Sequence, residues 1–162
     1  MRQEERLSLR QRFQFRCGYC GVRERDVGAE LTVDHFHPGS KGGADDPENW
    51  VYCCHACNEF KGNYWQPDSA RRILHPFRDD LTIHYVERDD GALQGLSETG
   101  TFHIERLHLN RKQLVEHRYE RRLLAIATAL EERQLAEVAA LEGEVELKST
   151  ELGELRGDSE EF

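Results

Sequence analysis

Residues 31–62 read LTVDHFHPGSKGGADDPENWVYCCHACNEFKG, and the fold turns on this stretch. LTVDHF at 31–36 is rich in β-branched and aromatic residues and predicts a strand. PGSKGGADDPEN at 38–49 is a loop by composition, dense in Gly, Pro, Asp and Asn. NWVYC at 49–53 predicts a second strand. Residues 54–62 start as a cysteine knuckle and run on into a short helix. The centre of the chain is therefore expected to be strand, loop, strand, helix.

Upstream lies a second knuckle, FRCGYCG at 15–21, where two cysteines flank a tight glycine turn. The five cysteines are Cys17, Cys20, Cys53, Cys54 and Cys57. An odd number containing two C-x2-C pairs is a poor disulfide framework and a good metal framework. Cys17, Cys20, Cys54 and Cys57 can supply four thiolates to one tetrahedral ion, and zinc suits such a closed, soft set. The chain between the pairs must fold back for them to meet. Zinc would then clamp the base of the strand–loop–strand unit, which a small core needs. Cys53 and His55 stand beside the second knuckle as rival ligands. The mirrored spacing favours Cys54-x2-Cys57, and Cys53 reads as a small buried residue ending the strand.

A second group of residues converges on the same unit. Asp34-His35 ends the first strand, Asn49 begins the second, and Asn58 follows Cys57 on the helix. Packing these elements together gathers a carboxylate, an imidazole and two amides. A hard divalent ion takes oxygen ligands of the kind Asp34 and Asn58 offer. His35 can act as a general base near neutral pH. Activating water and neutralising a leaving oxygen is the equipment of phosphodiester hydrolysis.

Taken together, Asp34-His35-Phe36-His37-Pro38, Ser40-Lys41-Gly42-Gly43, Glu48-Asn49-Trp50 and Cys54-His55-Ala56-Cys57-Asn58-Glu59-Phe60-Lys61-Gly62 resemble the HNH endonuclease family, with its ββα-metal (His-Me finger) fold. The resemblance covers about residues 15–63. It implies that His35 deprotonates the attacking water. It implies that Asp34 and Asn58 hold one Mg2+ or Mn2+, and that cleavage leaves a 5′-phosphate and a 3′-hydroxyl. It further implies that Asn49 is the middle letter of the motif, a structural residue holding the loop that orients His35. Asn58 stands where many relatives have a third histidine, which leaves the preferred metal open. Lys61 matches the motif and, with Lys41 and His37, is expected to contact phosphate. Trp50, Tyr64 and Trp65 are expected to pack the core.

The fold class expected is α+β: a zinc-clamped ββα-metal core with an added β-hairpin and a long C-terminal helix. LTIHYVE at 81–87 and TFHIERL at 101–107 are the expected hairpin strands. A helix is expected from about Asn110, read as its N-cap. Leu123, Ala127, Leu130, Val138, Leu141, Val145, Leu152 and Leu155 recur at steps near three and four, an apolar stripe on one helix face. The organisation expected is a nuclease domain at 1–108, a helix for oligomerisation or partner docking at 109–155, and a disordered acidic tail at 156–162.

With 162 residues, 38% of them hydrophobic, the chain can bury one modest core. The longest apolar run, LLAIATAL at 123–130, is far short of the about 20 residues that span a membrane. No signal peptide is visible at the N-terminus, so a cytoplasmic protein is expected. The net charge of −9 is concentrated at the end: residues 131–162 hold 11 acidic and 3 basic residues. Residues 106–122 carry six basic residues against two acidic ones, so the overall charge does not exclude DNA as partner. The alternative function is a non-catalytic zinc module that binds nucleic acid, or an assembly subunit of a larger complex such as one of phage defence.

Overall fold

The computed structural model describes residues 2–157, with side chains as far as residue 150. Helix α1 spans Gln3–Arg12 and a short α2 spans Glu24–Val27. Strands β1 (Thr32–His35) and β2 (Trp50–Cys53) follow, then α3 (His55–Lys61). Strands β3 (Tyr85–Glu87) and β4 (Leu93–Gly95) precede α4 (Glu98–Arg106) and the long α5 (Lys112–Gly157). The architecture is α+β, with two separate two-stranded sheets.

β1 and β2 pair antiparallel, with Thr32 opposite Cys53 and His35 opposite Trp50. Every residue of β2 is buried. The strand is thus sandwiched, and its unbroken apolar run fits that position. Side chains alternate along β1. Asp34 therefore turns into the core, while the neighbouring His35 stays partly open. Helix α3 packs on β1. The first knuckle is pressed onto the same core. A Cβ at Gly18 would lie 2.5 Å from a ring carbon of Phe13 and 3.0 Å from a methyl of Val51, so this turn accepts only glycine without rearrangement.

The second half departs from expectation. Residues 81–83 form a 3-10 turn, and only Tyr85–Glu87 is strand. Its partner is Leu93–Gly95, across a turn at Asp90-Gly91. The expected strand at 101–107 is corrected to helix α4. Ser97 caps this helix, its Oγ accepting from the Gly100 amide at 3.0 Å. Gly100, His103, Ile104 and Leu107 are all buried. That spacing is helical, and the cap breaks the alternation that a strand needs. Asn110 is likewise not a cap. Its side chain bonds both the amide (2.7 Å) and the carbonyl (2.8 Å) of Leu93, and the helix starts at Lys112.

The core includes the fully buried Val51, Tyr52, Cys53, Leu107 and Leu109. Side chains of this size contribute about 1.5–3 kcal/mol each on burial. Two histidines are buried with it, His75 and His103. The Nδ1 of His103 accepts from the Leu74 amide at 3.0 Å, and that of His75 from the Phe77 amide at 3.1 Å. Burial pushes both imidazoles down to about 4. The unfolded chain holds more protons between there and the ordinary histidine value near 6.5, so stability is full above that value and falls as pH drops through the window. Urea denaturation should lose about 1.4 kcal/mol per pH unit for each histidine, and His75→Gln should remove one histidine's share of that slope.

The chain forms two compact units, residues 1–119 and residues from Glu120 onward. Among the described residues, no helix is long and apolar enough to cross a membrane. In the second unit the apolar stripe is exposed at Leu130, Val138, Leu141 and Val145. The expected disordered tail at 156–162 is helix through Gly157, and its remainder lies outside the described residues.

Candidate functional site

The two knuckles meet. Cys17 and Cys20 come from the loop after α1, Cys54 from the N-cap of α3, just after β2, and Cys57 from the first turn of α3. Their four sulfurs lie within 4.8 Å of one another. Cys20 Sγ and Cys54 Sγ are 3.7 Å apart. Four sulfurs at about 2.3 Å from a central zinc are separated by about 3.8 Å, so the donors fit a tetrahedral zinc. Among the described residues, this is the one set of three or more His, Cys, Asp and Glu side chains close enough to share an ion. A site of four protein ligands has no open position and serves structure. Cys53 is fully buried beside it, and burial pushes its thiol up.

Arg111, just before α5, completes the cluster. Its guanidinium lies 3.8 Å from both Cys54 Sγ and Cys57 Sγ. A cation here would offset the excess negative charge of four thiolates around one divalent ion, and it gives their sulfurs hydrogen-bond donors. Arg111→Ala should therefore release zinc faster, roughly tenfold to a hundredfold by the usual cost of outer ligand contacts. A colorimetric chelator reads this directly.

The second group lies at the other end of the hairpin. His35 is 41% exposed, and its Nε2 lies 2.8 Å from Asp45 Oδ1. The same oxygen accepts from Trp50 Nε1 at 2.8 Å. These two bonds hold the Asp45 carboxyl below the usual carboxylate range. An ionised carboxylate only accepts, so the imidazole proton sits on Nε2 and Nδ1 keeps its lone pair.

Asn49 staples the intervening loop. Its Nδ2 donates to the carbonyls of His37 (2.8 Å) and Ala44 (2.7 Å), and its Oδ1 accepts from the His37 amide (2.8 Å). Gly43 lies under this staple. A Cβ there would fall 1.8 Å from the His37 carbonyl oxygen, so only glycine permits the approach. His37 stacks on Trp65 with ring centres 4.2 Å apart, and its Nε2 bonds the Lys41 carbonyl at 2.8 Å. Lys41 ends a 3-10 turn at the exposed tip of the loop.

Asp34 sits beneath. It is buried, with Oδ2 accepting from Tyr19 Oη at 2.6 Å and Oδ1 from Lys61 Nζ at 2.9 Å. Burial raises the Asp34 carboxyl against the opposing pull of Lys61 and Tyr19. Lys61 thereby corrects its expected phosphate contact. It is 1% exposed, and its ammonium also bonds the His35 carbonyl at 2.9 Å. A cation buried to this extent needs its anion, and Asp34 supplies it. Asn58 is half-buried, one helical turn before Lys61 on the same face of α3. Asp34 and Asn58 are oxygen donors of the type a hard divalent ion takes, and each Asp34 oxygen keeps an unused lone pair. Lys61 already neutralises part of that charge.

Asp45, Tyr19 and Arg111 carry roles that sequence reasoning missed. Asp45 lies in the ADDPEN run, where composition says only loop. The spacing of Tyr19 within the first knuckle does not point to Asp34. Arg111 was visible only as one member of a basic segment.

Residues 17–64 match the family model of the HNH endonucleases, and the chain carries this domain there. The chain is also similar to the Septu protein PtuA of Bacillus mycoides (strain KBAB4), 25% identical over 140 residues. That match covers 68% of this chain and 20% of the relative, so it spans about a fifth of the relative's length. No solved structure matches the chain.

Proposed function

We propose that this chain, through its HNH domain, is a metal-dependent endonuclease that hydrolyses DNA phosphodiester bonds. The observation that carries the reading is His35, with one ring nitrogen held by Asp45 and the other open, on a ββα unit within the matched HNH region. In this reading Nδ1 of His35 takes a proton from water as the water oxygen attacks phosphorus. The bond from phosphorus to the 3′ oxygen breaks, and that oxygen is protonated from solvent. The products are a 5′-phosphate and a 3′-hydroxyl.

Asp34 and Asn58 would hold Mg2+ or Mn2+. Such an ion polarises the phosphoryl oxygen and neutralises charge on the leaving oxygen. Lys61 fixes the Asp34 carboxylate, and Asn49 fixes the loop that ends next to Asp45. Lys41 and His37 lie on the exposed side of the unit, where they can contact phosphates on either side of the cut. Contacts of that kind position DNA without reading its sequence. The test is the chemistry of the ends. Nicks made by the zinc-loaded protein should be resealed by DNA ligase without prior phosphatase or kinase treatment. Nicks that ligase cannot seal would exclude this route.

A second reading is favoured by one observation, the exposed apolar side chains of Leu130, Val138, Leu141 and Val145 on α5. Such a stripe fits assembly with another polypeptide, and cleavage could then depend on that partner.

A further inference from the structure

We infer that Asp45 is the positioning residue for His35: it clasps the imidazole to the opposite strand, fixes its tautomer, and faces the charge that forms on it. This inference rests on the nuclease reading for its catalytic consequence, and on geometry alone for the pairing.

His35 and Trp50 are direct cross-strand partners in the hairpin. One oxygen of Asp45 accepts from both, at 2.8 Å each. The indole is anchored, since Trp50 is 5% exposed. The carboxylate is therefore held from the core side and is not a freely turning surface group. Its backbone is held as well, because Asn49 grips the carbonyl of Ala44, the residue just before it. A continuous chain of fixed groups thus runs from Asn49 through Ala44 and Asp45 to His35. Its carboxyl stays ionised because the His35 and Trp50 bonds favour the charged form.

Two consequences follow for the reaction. An acceptor-only group on Nε2 puts the lone pair on Nδ1, where water must be met. When the water proton reaches Nδ1, the ring becomes an imidazolium, and the carboxylate opposes that new charge directly. Both effects act through His35, and Asp45 itself touches no reacting atom.

The test uses the full zinc-loaded chain labelled with 15N, with Asp45→Ala and Asp45→Asn beside it. His35→Gln assigns the ring signals. In the wild type the His35 Nε2 proton should be slow enough in exchange to give an N–H correlation. Asp45→Ala should lose that signal and lower kcat for DNA nicking roughly tenfold to a hundredfold with KM unchanged, part of the about 10²–10⁴-fold a positioned base contributes. Asp45→Asn keeps an acceptor without the charge, so it should retain the signal and recover only part of the rate. Persistence of the signal in Asp45→Ala, or a wild-type rate in that variant, would overturn the inference. If the wild type cuts no DNA with either ion, the nuclease reading fails instead, and the ring signal alone then decides the pairing.

Discussion

Removing the metal from the four cysteines should unfold residues 1–119, not loosen one loop. The ligands come from the loop after α1, from the residue that follows β2 and from α3, so the ion would tie the first knuckle to the two elements, β2 and α3, that hold β1 with its Asp34 and His35. Structural zinc in small domains contributes about 10–16 kcal/mol at neutral pH. Domains of this size are stable by only about 5–15 kcal/mol in all. Loss of the metal therefore removes most or all of the margin. A strong chelator, or Cys57→Ser, should abolish the dispersed amide spectrum of the first unit. Cys53→Ala is the control. Cys53 is fully buried but outside the four-sulfur cluster, so this variant should keep one zinc per chain and a native spectrum. A metal-free chain that keeps its dispersed spectrum would show that the apolar core suffices alone.

The second large effect is on chemistry. His35→Ala should lower the single-turnover rate of duplex cleavage by about 10²–10⁴-fold, the usual contribution of a positioned base. Thermal stability should change little, because the side chain is 41% exposed and its hydrogen bond is to a carboxylate more exposed still, at 69%. Asn49→Ala should behave differently. It breaks three hydrogen bonds to loop backbone, so it should lower both rate and melting temperature. A His35→Ala variant that cuts at the wild-type rate would place the base elsewhere.

The central unit was legible because its signals are local. Cys17-x2-Cys20 and Cys54-x2-Cys57 advertise one tetrahedral site by spacing alone, and β1 and β2 lie within one residue of the runs that predict them. Less legible was the direction in which a polar residue turns. Lys61 matches a phosphate-binding position by motif, yet α3 rotates it inward onto Asp34. Only the packing of α3 on β1 decides this, and packing is a long-range property. The hairpin is present with its first strand inside the predicted run, and its second strand was misplaced for the opposite reason. TFHIERL alternates well enough to pass for a strand, while Ser97, four residues earlier, supplies the helix cap that overrides it. Asp45 could not be found from sequence, because its partners His35 and Trp50 meet only once the strands are in register.

The Asp34–Lys61–Tyr19 cluster shows how the two sites depend on one another. Tyr19 lies between Cys17 and Cys20, so the knuckle that brings two sulfurs to the four-cysteine cluster also places a hydroxyl on the carboxylate beneath His35. Burial holds the Tyr19 hydroxyl protonated, which keeps it a donor. The four-cysteine cluster and the candidate catalytic residues thus share one small core, and α3 contributes to both.

The most direct measurement incubates the zinc-loaded chain with supercoiled plasmid and either Mg2+ or Mn2+, with His35→Ala and an EDTA control in parallel. Nicked or linear product is expected from the wild type alone, abolished by chelation and by the substitution. Product that survives in His35→Ala, or a folded wild type that leaves the plasmid intact with both ions, would contradict it.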